Sequence, residues 1–151
     1  MYSVRSRILS DIRRLISGMD TQTEGYRLIG RRHVRDNNSW MHNHRRLGKG
    51  PGRCNLLMHP EYVAKEGWKA GMTVTIKSRV GSISAELMPS TEVMPGVISL
   101  PHDYGHGLNG TRSEIANTHA GVSCNDITYE QFLDELSGNA AVNGVPVELH
   151  A

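Results

Sequence analysis

The sequence predicts a mainly β fold, a barrel with a few short helices and one helix at the N-terminus. Three observations carry this. Met72–Lys77, Ser82–Met88 and Val97–Leu100 are short alternating runs, with Val80-Gly81 and Pro95-Gly96 supplying turns between them. Strand-sized runs follow one another without the regular strand–helix alternation of a parallel α/β sheet. Aliphatic residues must fill the core, because the 151 residues include only one Phe and 5% aromatics. A chain of this length makes one domain that buries roughly 70% of its unfolded surface, so it needs no covalent staples.

Each element has a local reason. Val4, Ile8, Ile12, Leu15 and Ile16 recur at helical spacing, with Arg5, Arg13 and Arg14 off that stripe. Residues 3–17 are therefore expected to form an amphipathic helix, with Gly18 as its C-cap and a polar hinge from Met19 to Gly25. Docking on its own domain, contact with a neighbouring domain and a membrane surface are the three uses open to such a helix. Arg27–Ile29 reads as a strand, Ser39–His44 as another extended stretch, and residues 48–53 as a Gly/Pro loop. Leu56–Met58 is short and apolar. Pro60 opens a helix that ends near Gly67. Thr128 and Gln131 resemble a capping box, predicting a helix over Thr128–Leu136, and Val145–Leu149 follows Asn143-Gly144 as the last strand. The loop from His102 to Asn125 is long and rich in Gly, Asn and His, which marks it as functional.

The charge is unevenly spread. Residues 1–53 hold 12 Lys+Arg against 4 Asp+Glu, a surplus of +8, while the whole chain nets only +2. Such asymmetry points to an anionic partner for the first third or to a missing protein surface. Two cysteines, Cys54 and Cys124, exclude a disulfide framework, a four-Cys zinc site and an iron–sulfur motif. No apolar run approaches the ~18 residues of a membrane span, and nothing resembles a secretory signal. The triplets Asn37–Ser39 and Asn109–Thr111 would be glycosylated only on a secretory route. A soluble, cytoplasmic protein with reduced thiols is the expectation.

Two clusters could carry chemistry. Gly30, Arg31 and Arg32, followed by Ser39, Trp40, Met41, His42 and Asn43, combine guanidiniums, a hydroxyl, an indole and amides. A nucleotide-like ligand with phosphates would use such groups, since Arg forks oxygens in charge-assisted bonds. The second cluster is histidine: His42 and His44 two apart, His102 and His106 four apart. A metal on a cupin-like barrel is one reading of those four imidazoles, and hydrogen bonding to a ligand is the other. Gly48-Lys49-Gly50 lacks phosphate-loop spacing, and no serine nucleophile elbow is present. A basic nucleic-acid-binding module is a third reading, disfavoured by few aromatics and an acidic second half.

Leu28-Ile29-Gly30-Arg31-Arg32, then Asn37-Asn38-Ser39-Trp40-Met41-His42-Asn43, resembles the start of the molybdopterin-dinucleotide-binding domain of the dimethyl sulfoxide reductase family. Formate dehydrogenases and nitrate reductases belong to that family. Met58-His59-Pro60, Val74-Thr75-Ile76, Val93–Val97, Pro101–His106, Gly121–Asn125 and Asp134–Gly138 continue the resemblance in order, over about residues 26–149. Asp103-Tyr104 stands where the family more often has Gly-Trp.

The resemblance implies a double-psi β-barrel over residues 26–151, preceded by the helix and hinge of residues 1–25. It implies a pyranopterin guanine dinucleotide (molybdopterin guanine dinucleotide) as cofactor, with molybdenum or tungsten in the complete enzyme. Gly30, Arg31 and Arg32 would approach the phosphates; Ser39, Trp40, Met41, His42 and Asn43 would line the pterin region. His102, Tyr104, Gly105 and His106 would form the facing loop, and Asn125 would bond the pterin edge. The metal-ligating side chain lies in earlier domains of this family. The chain is thus expected to be a C-terminal fragment or separate subunit of an oxidoreductase, inactive alone, with the remaining domains or subunits as partners. Neither nucleic acid nor a membrane span is expected.

Overall fold

In the computed structural model, described over residues 4–19, 24–107 and 111–151, the alternating runs become the staves of a closed barrel. Its strands are β1 (Tyr26–Arg31), β2 (Asn55–Met58), β3 (Thr73–Lys77), β4 (Ser82–Pro89), β5 (Val97–Pro101) and β6 (Val145–His150). Around the barrel they stand in the order β1, β5, β2, β4, β3, β6. β1 is parallel to β5 and β2 to β4, while the other four neighbouring pairs are antiparallel. Closure leaves no strand edge open to a second chain.

The period-2 pattern places the core. Val74 and Ile76 of β3 and Ala85 and Leu87 of β4 point inward, with Thr73, Lys77, Ser84 and Glu86 outward. Leu28 on β1 stands opposite Ile98 on β5 and Val145 on β6, and all three are essentially inaccessible. With Leu56, Met58, Leu100 and Ile127 they form one aliphatic cluster, each side chain contributing about 1.5–3 kcal/mol of burial. Helix α2 (Pro60–Lys65) begins where His59 Nδ1 accepts from the Glu61 amide, and Pro60 at the first helical position needs no partner for its nitrogen. Two more short pieces lie in the long loop: α3 (Glu114–Asn117) and a 3-10 turn at Cys124–Asp126.

Chain contacts divide the molecule into two units: residues 25–129 with 142–151, which hold the barrel, and residues 1–24 with 130–141. In the second unit, α1 (Val4–Gly18) is the expected N-terminal helix, with Gly18 as its last residue. Its stripe is open: Ile8, Ile12, Leu15 and Ile16 are 44–59% exposed. Arg14 pairs with Asp11 at 2.7 Å and with Glu135 at 3.4 Å. Most of the hinge (residues 20–23), residue 3 of the expected helix and residues 108–110 of the long loop lie outside the described residues.

Two expected elements are corrected. Thr128–Leu136 is not a helix: the Asp134 carboxylate accepts from the Ser137 amide at 2.6 Å, and the Asp134 carbonyl accepts from the Gly138 amide. This side-chain turn competes with the helix, and Leu133 bridges Ala140 instead. Thr128 Oγ1 donates back to the Asn125 carbonyl rather than capping forward. Ser39–His44 is not a strand. Asn37, Asn38 and Ser39 have φ of 42°, 53° and 72°, a left-handed turn, and the amides of Trp40, Met41, His42 and His44 donate to nearby carbonyls of this segment rather than to a neighbouring strand.

Candidate functional site

That left-handed turn decides where the basic motif points. It buries Asp36 and leaves Trp40 81% exposed, with Met41 donating its amide to the Asp36 carbonyl. Two residues on, the chain turns inward and buries His42. Asn43 Oδ1 accepts from the amides of Ile115 and Ala116 at 3.0 and 3.2 Å, tying this segment to the first turn of α3.

His42 lies at the centre of a buried polar group. Its Nδ1 is 2.7 Å from His106 Nε2, and the Tyr104 ring lies 4.5 Å away between centroids. His42 Nε2 is 3.4 Å from Asp36 Oδ1, too poorly aligned for a hydrogen bond. Both His42 Nε2 and Asp36 Oδ2 are therefore buried without a hydrogen-bond partner. Arg53 Nη1 stands 3.7 Å from the same carboxylate. Burial, and then Asp36, push the Tyr104 phenol up to about 12. Burial, and then His42, hold His106 below the usual imidazole value.

Two glycines let the facing loop close on this group. Gly105 (φ +109°) donates its amide to the Ala120 carbonyl, and a Cβ there would meet Ser123 at 2.7 Å. Gly121 (φ +58°) has Cys54 Sγ and Tyr104 Cδ1 each 2.7 Å from where its Cβ would be. Any side chain at either position strains the backbone and strikes the wall. Beside Gly121 lies a cavity of about 590 Å³, lined by Asp36, His42, Tyr104, Arg53, Asn55 and Cys54 with Gly48, Gly52 and Gly121.

The other expected residues lie elsewhere. Arg31 donates to the Ser99 carbonyl at 2.7 Å and to the Arg53 and Asn55 carbonyls at 3.1 and 2.8 Å, joining β1, β5 and the entry to β2. Burial holds its guanidinium below the usual value. Arg32 is exposed and bonds Asn38. The Gly30 amide donates to Asn143 Oδ1 at 2.7 Å, and His102 pairs with buried Asp103 at 3.0 Å. His44 and Asn125 are exposed. The four-histidine metal reading is thus dispersed: only His42 and His106 meet. Among the described residues no group of three or more His, Cys, Asp or Glu side chains is placed to hold a metal.

Asp36, Arg53 and Cys54 are site residues that reading the sequence did not single out. Asp36 had a signal, as the sole acid between Arg27 and Arg53. Arg53 had none beyond its charge, because only folding brings it to Asp36.

The cavity's chemistry suits a polar-edged heterocycle with phosphates. An unpartnered carboxylate oxygen can accept from ring N–H and NH₂ groups, an unpartnered imidazole nitrogen can bond a ring edge, and a guanidinium and amide face the same space.

Comparisons with known proteins agree with that chemistry. The chain is 27% identical over 114 residues to a subunit of the tetrathionate reductase of Salmonella typhimurium, covering 64% of this chain and 11% of that protein. The chain thus spans about a tenth of that relative's length. Its fold matches acetylene hydratase from Pelobacter acetylenicus with a TM-score of 0.68 at 17% identity, over 83% of this chain and 18% of that one. A family model described as "Molydopterin dinucleotide binding domain" matches residues 26–146. A buried polar cavity in a closed barrel and a match over most of the chain lead to one conclusion: the chain belongs to the molybdopterin-dinucleotide-binding domain family.

Proposed function

We propose that this chain is the C-terminal cofactor-binding module of a larger molybdenum or tungsten oxidoreductase, and that it holds the pyranopterin guanine dinucleotide in the Asp36–His42–Tyr104 cavity. The observation that carries this is a cavity of about 590 Å³ lined by Asp36, His42, Tyr104 and Arg53, behind whose wall Asp36 Oδ2 and His42 Nε2 are buried without a partner. Groups left so cost about 1–3 kcal/mol each unless a ligand supplies the partner. When bound, the cofactor supplies the dithiolene sulfurs that hold the metal. This chain's residues bind and orient: Asp36 and His42 take the pterin edge, Tyr104 offers a ring face, and Arg53 takes a phosphate.

The reading moves part of the expected phosphate contact from Arg31 to Arg53, because Arg31 is engaged with three carbonyls. Gly30, Arg32, Ser39, Trp40, Met41, Asn43, His102, Gly105 and Asn125 do not line this cavity, and their expected contacts belong to parts of the cofactor that extend beyond it. The two parallel pairs, β1–β5 and β2–β4, support a double-psi crossing of the barrel. We take residues 26–151 as the domain and residues 1–25 as its helical lead. The remaining domains or subunits supply the metal's other ligands and the substrate site. The chain on its own is then inactive. No described helix is long and apolar enough to cross a membrane, and cytoplasmic residence with reduced Cys54 and Cys124 completes the proposal.

The test titrates the full chain with guanosine 5′-diphosphate and with pterin-6-carboxylate, the two halves of the ligand. Saturable binding of each is expected, with Arg53→Gln weakening the diphosphate about tenfold or more. No saturable binding of either half up to millimolar concentration ends the assignment.

A further inference from the structure

Two imidazole nitrogens at 2.7 Å cannot both carry a proton, so one must donate and the other accept. The surroundings choose which. His42 Nε2 faces the Asp36 carboxylate, and a bare nitrogen beside a carboxylate oxygen at 3.4 Å would place two lone pairs together in a buried site. The His42 proton therefore sits on Nε2, toward Asp36, and His42 Nδ1 accepts. His106 must then carry its proton on Nε2 and donate it to His42, leaving its Nδ1 as an acceptor. All the donors point one way, from His106 through His42 to Asp36.

We propose that His106, His42 and Asp36 form a directional proton relay from the surface of the facing loop to the wall of the cavity. His106 is the partly exposed member, whereas His42 and Asp36 are buried. A proton from solvent water adds to His106 Nδ1. The Nε2–H bond of His106 breaks as an N–H bond forms at His42 Nδ1, and the Nε2–H bond of His42 breaks as an O–H bond forms on Asp36 once a turn of the carboxylate aligns their 3.4 Å contact, which is not hydrogen-bonded at rest. One proton enters and one arrives, with no change of oxidation state. The same hops in reverse return the proton and restore the starting tautomers.

The other charged groups at the cavity define where the relay stops. Arg53 faces Asp36 at 3.7 Å but has no lone pair with which to accept, so the chain stops at the carboxylate. Tyr104 packs on the His42 ring, and its raised phenol keeps its proton through neutral pH. Cys54, Glu86 and His119 line other parts of the wall, and Arg31 is engaged with backbone carbonyls. His106, held low by burial and then by His42, is neutral near pH 7, so its Nδ1 lone pair is open and any proton it takes up is readily passed on.

Use of the delivered proton by a bound pterin rests on the function proposed above, but the relay itself is a property of three side chains. It is tested on the full chain without ligand, by nitrogen NMR of 15N-histidine-labelled protein. The expected result is protonated Nε2 on both rings and a scalar coupling between His106 Nε2 and His42 Nδ1 across the hydrogen bond. A proton on His42 Nδ1, or no coupling, overturns the direction. His106→Gln is expected to slow exchange of the His42 ring N–H with water at least tenfold, since the route to solvent is cut. Unchanged or faster exchange overturns the relay, and a destabilised variant would show the faster rate. Failure here leaves ligand binding intact, and failure of ligand binding leaves these spectra unaltered, so the two outcomes are separable.

Discussion

The barrel strands and helix α1 carry apolar patterns of equal clarity and put them to opposite uses. In the barrel, inward residues such as Leu28, Ile76, Leu87, Ile98 and Val145 are buried in one core cluster, which ring closure encloses. In α1 the stripe of Ile8, Leu9, Ile12, Leu15 and Ile16 remains 44–59% exposed. Periodicity therefore reports which face is apolar and says nothing about what covers it. The barrel supplies its own cover because its strands meet in a ring, and one helix has no such option.

The sharpest way to break this contrast is a pair of truncations. Leu100→Ala, at a position with no accessible surface, is expected to lower unfolding stability by about 2–5 kcal/mol in a urea titration. Ile12→Ala, on the open stripe, should change it by no more than about 0.5 kcal/mol. Equal losses would mean that the stripe is covered in solution.

A second pair sharpens the contrast between neighbouring arginines. Arg31→Met leaves the Ser99, Arg53 and Asn55 carbonyls without their donor, and about 1–3 kcal/mol should be lost. Arg32→Met removes an exposed contact to Asn38 and should alter thermal stability within error. A larger effect at Arg32 would contradict the assignment of Arg31 as a strand tie.

The smallest effect is a pH dependence confined to the barrel unit. Burial, and then Cys54, push Cys124 up from 9.0 to about 11, while Tyr104 is pushed up to about 12. Each group binds its proton more tightly folded than unfolded, so its contribution is complete at neutral pH and lost as pH rises. The urea midpoint should therefore fall from about pH 9 to 12, and Cys124→Ala should flatten the part between about 9 and 11. A midpoint that rises over this range would reverse the sign.

Legibility in the sequence followed the range of the forces involved. Val74, Ile76, Ala85 and Leu87 announce β3 and β4 because alternation is a property of neighbouring residues. Pro60 announces α2 for the same reason. Thr128 and Gln131 misled because a capping box competes with the Asp134–Gly138 turn, and a turn stabilised by its own carboxylate prevailed. At the site, the resemblance drew attention to His42, Tyr104 and His106 together, while Asp36 and Arg53 went unremarked. Asp36 reaches His42 only through three successive left-handed residues, a conformation that Asn37 and Asn38 tolerate but do not dictate.

By itself the sequence determined a barrel of short strands, a basic first third, a family and the ligand class that family takes. Those follow from composition, period and ordered motifs, all of them local or additive. The tertiary structure alone decided that Arg31 ties strands while Arg53 faces the cavity, that four histidines separate into one coupled pair and two rings apart from it, and that Asp36 lies behind His42. The physical reason is burial. Whether a charged group serves a ligand or the fold depends on which backbone carbonyls and lone pairs surround it, and residues distant in the chain supply them.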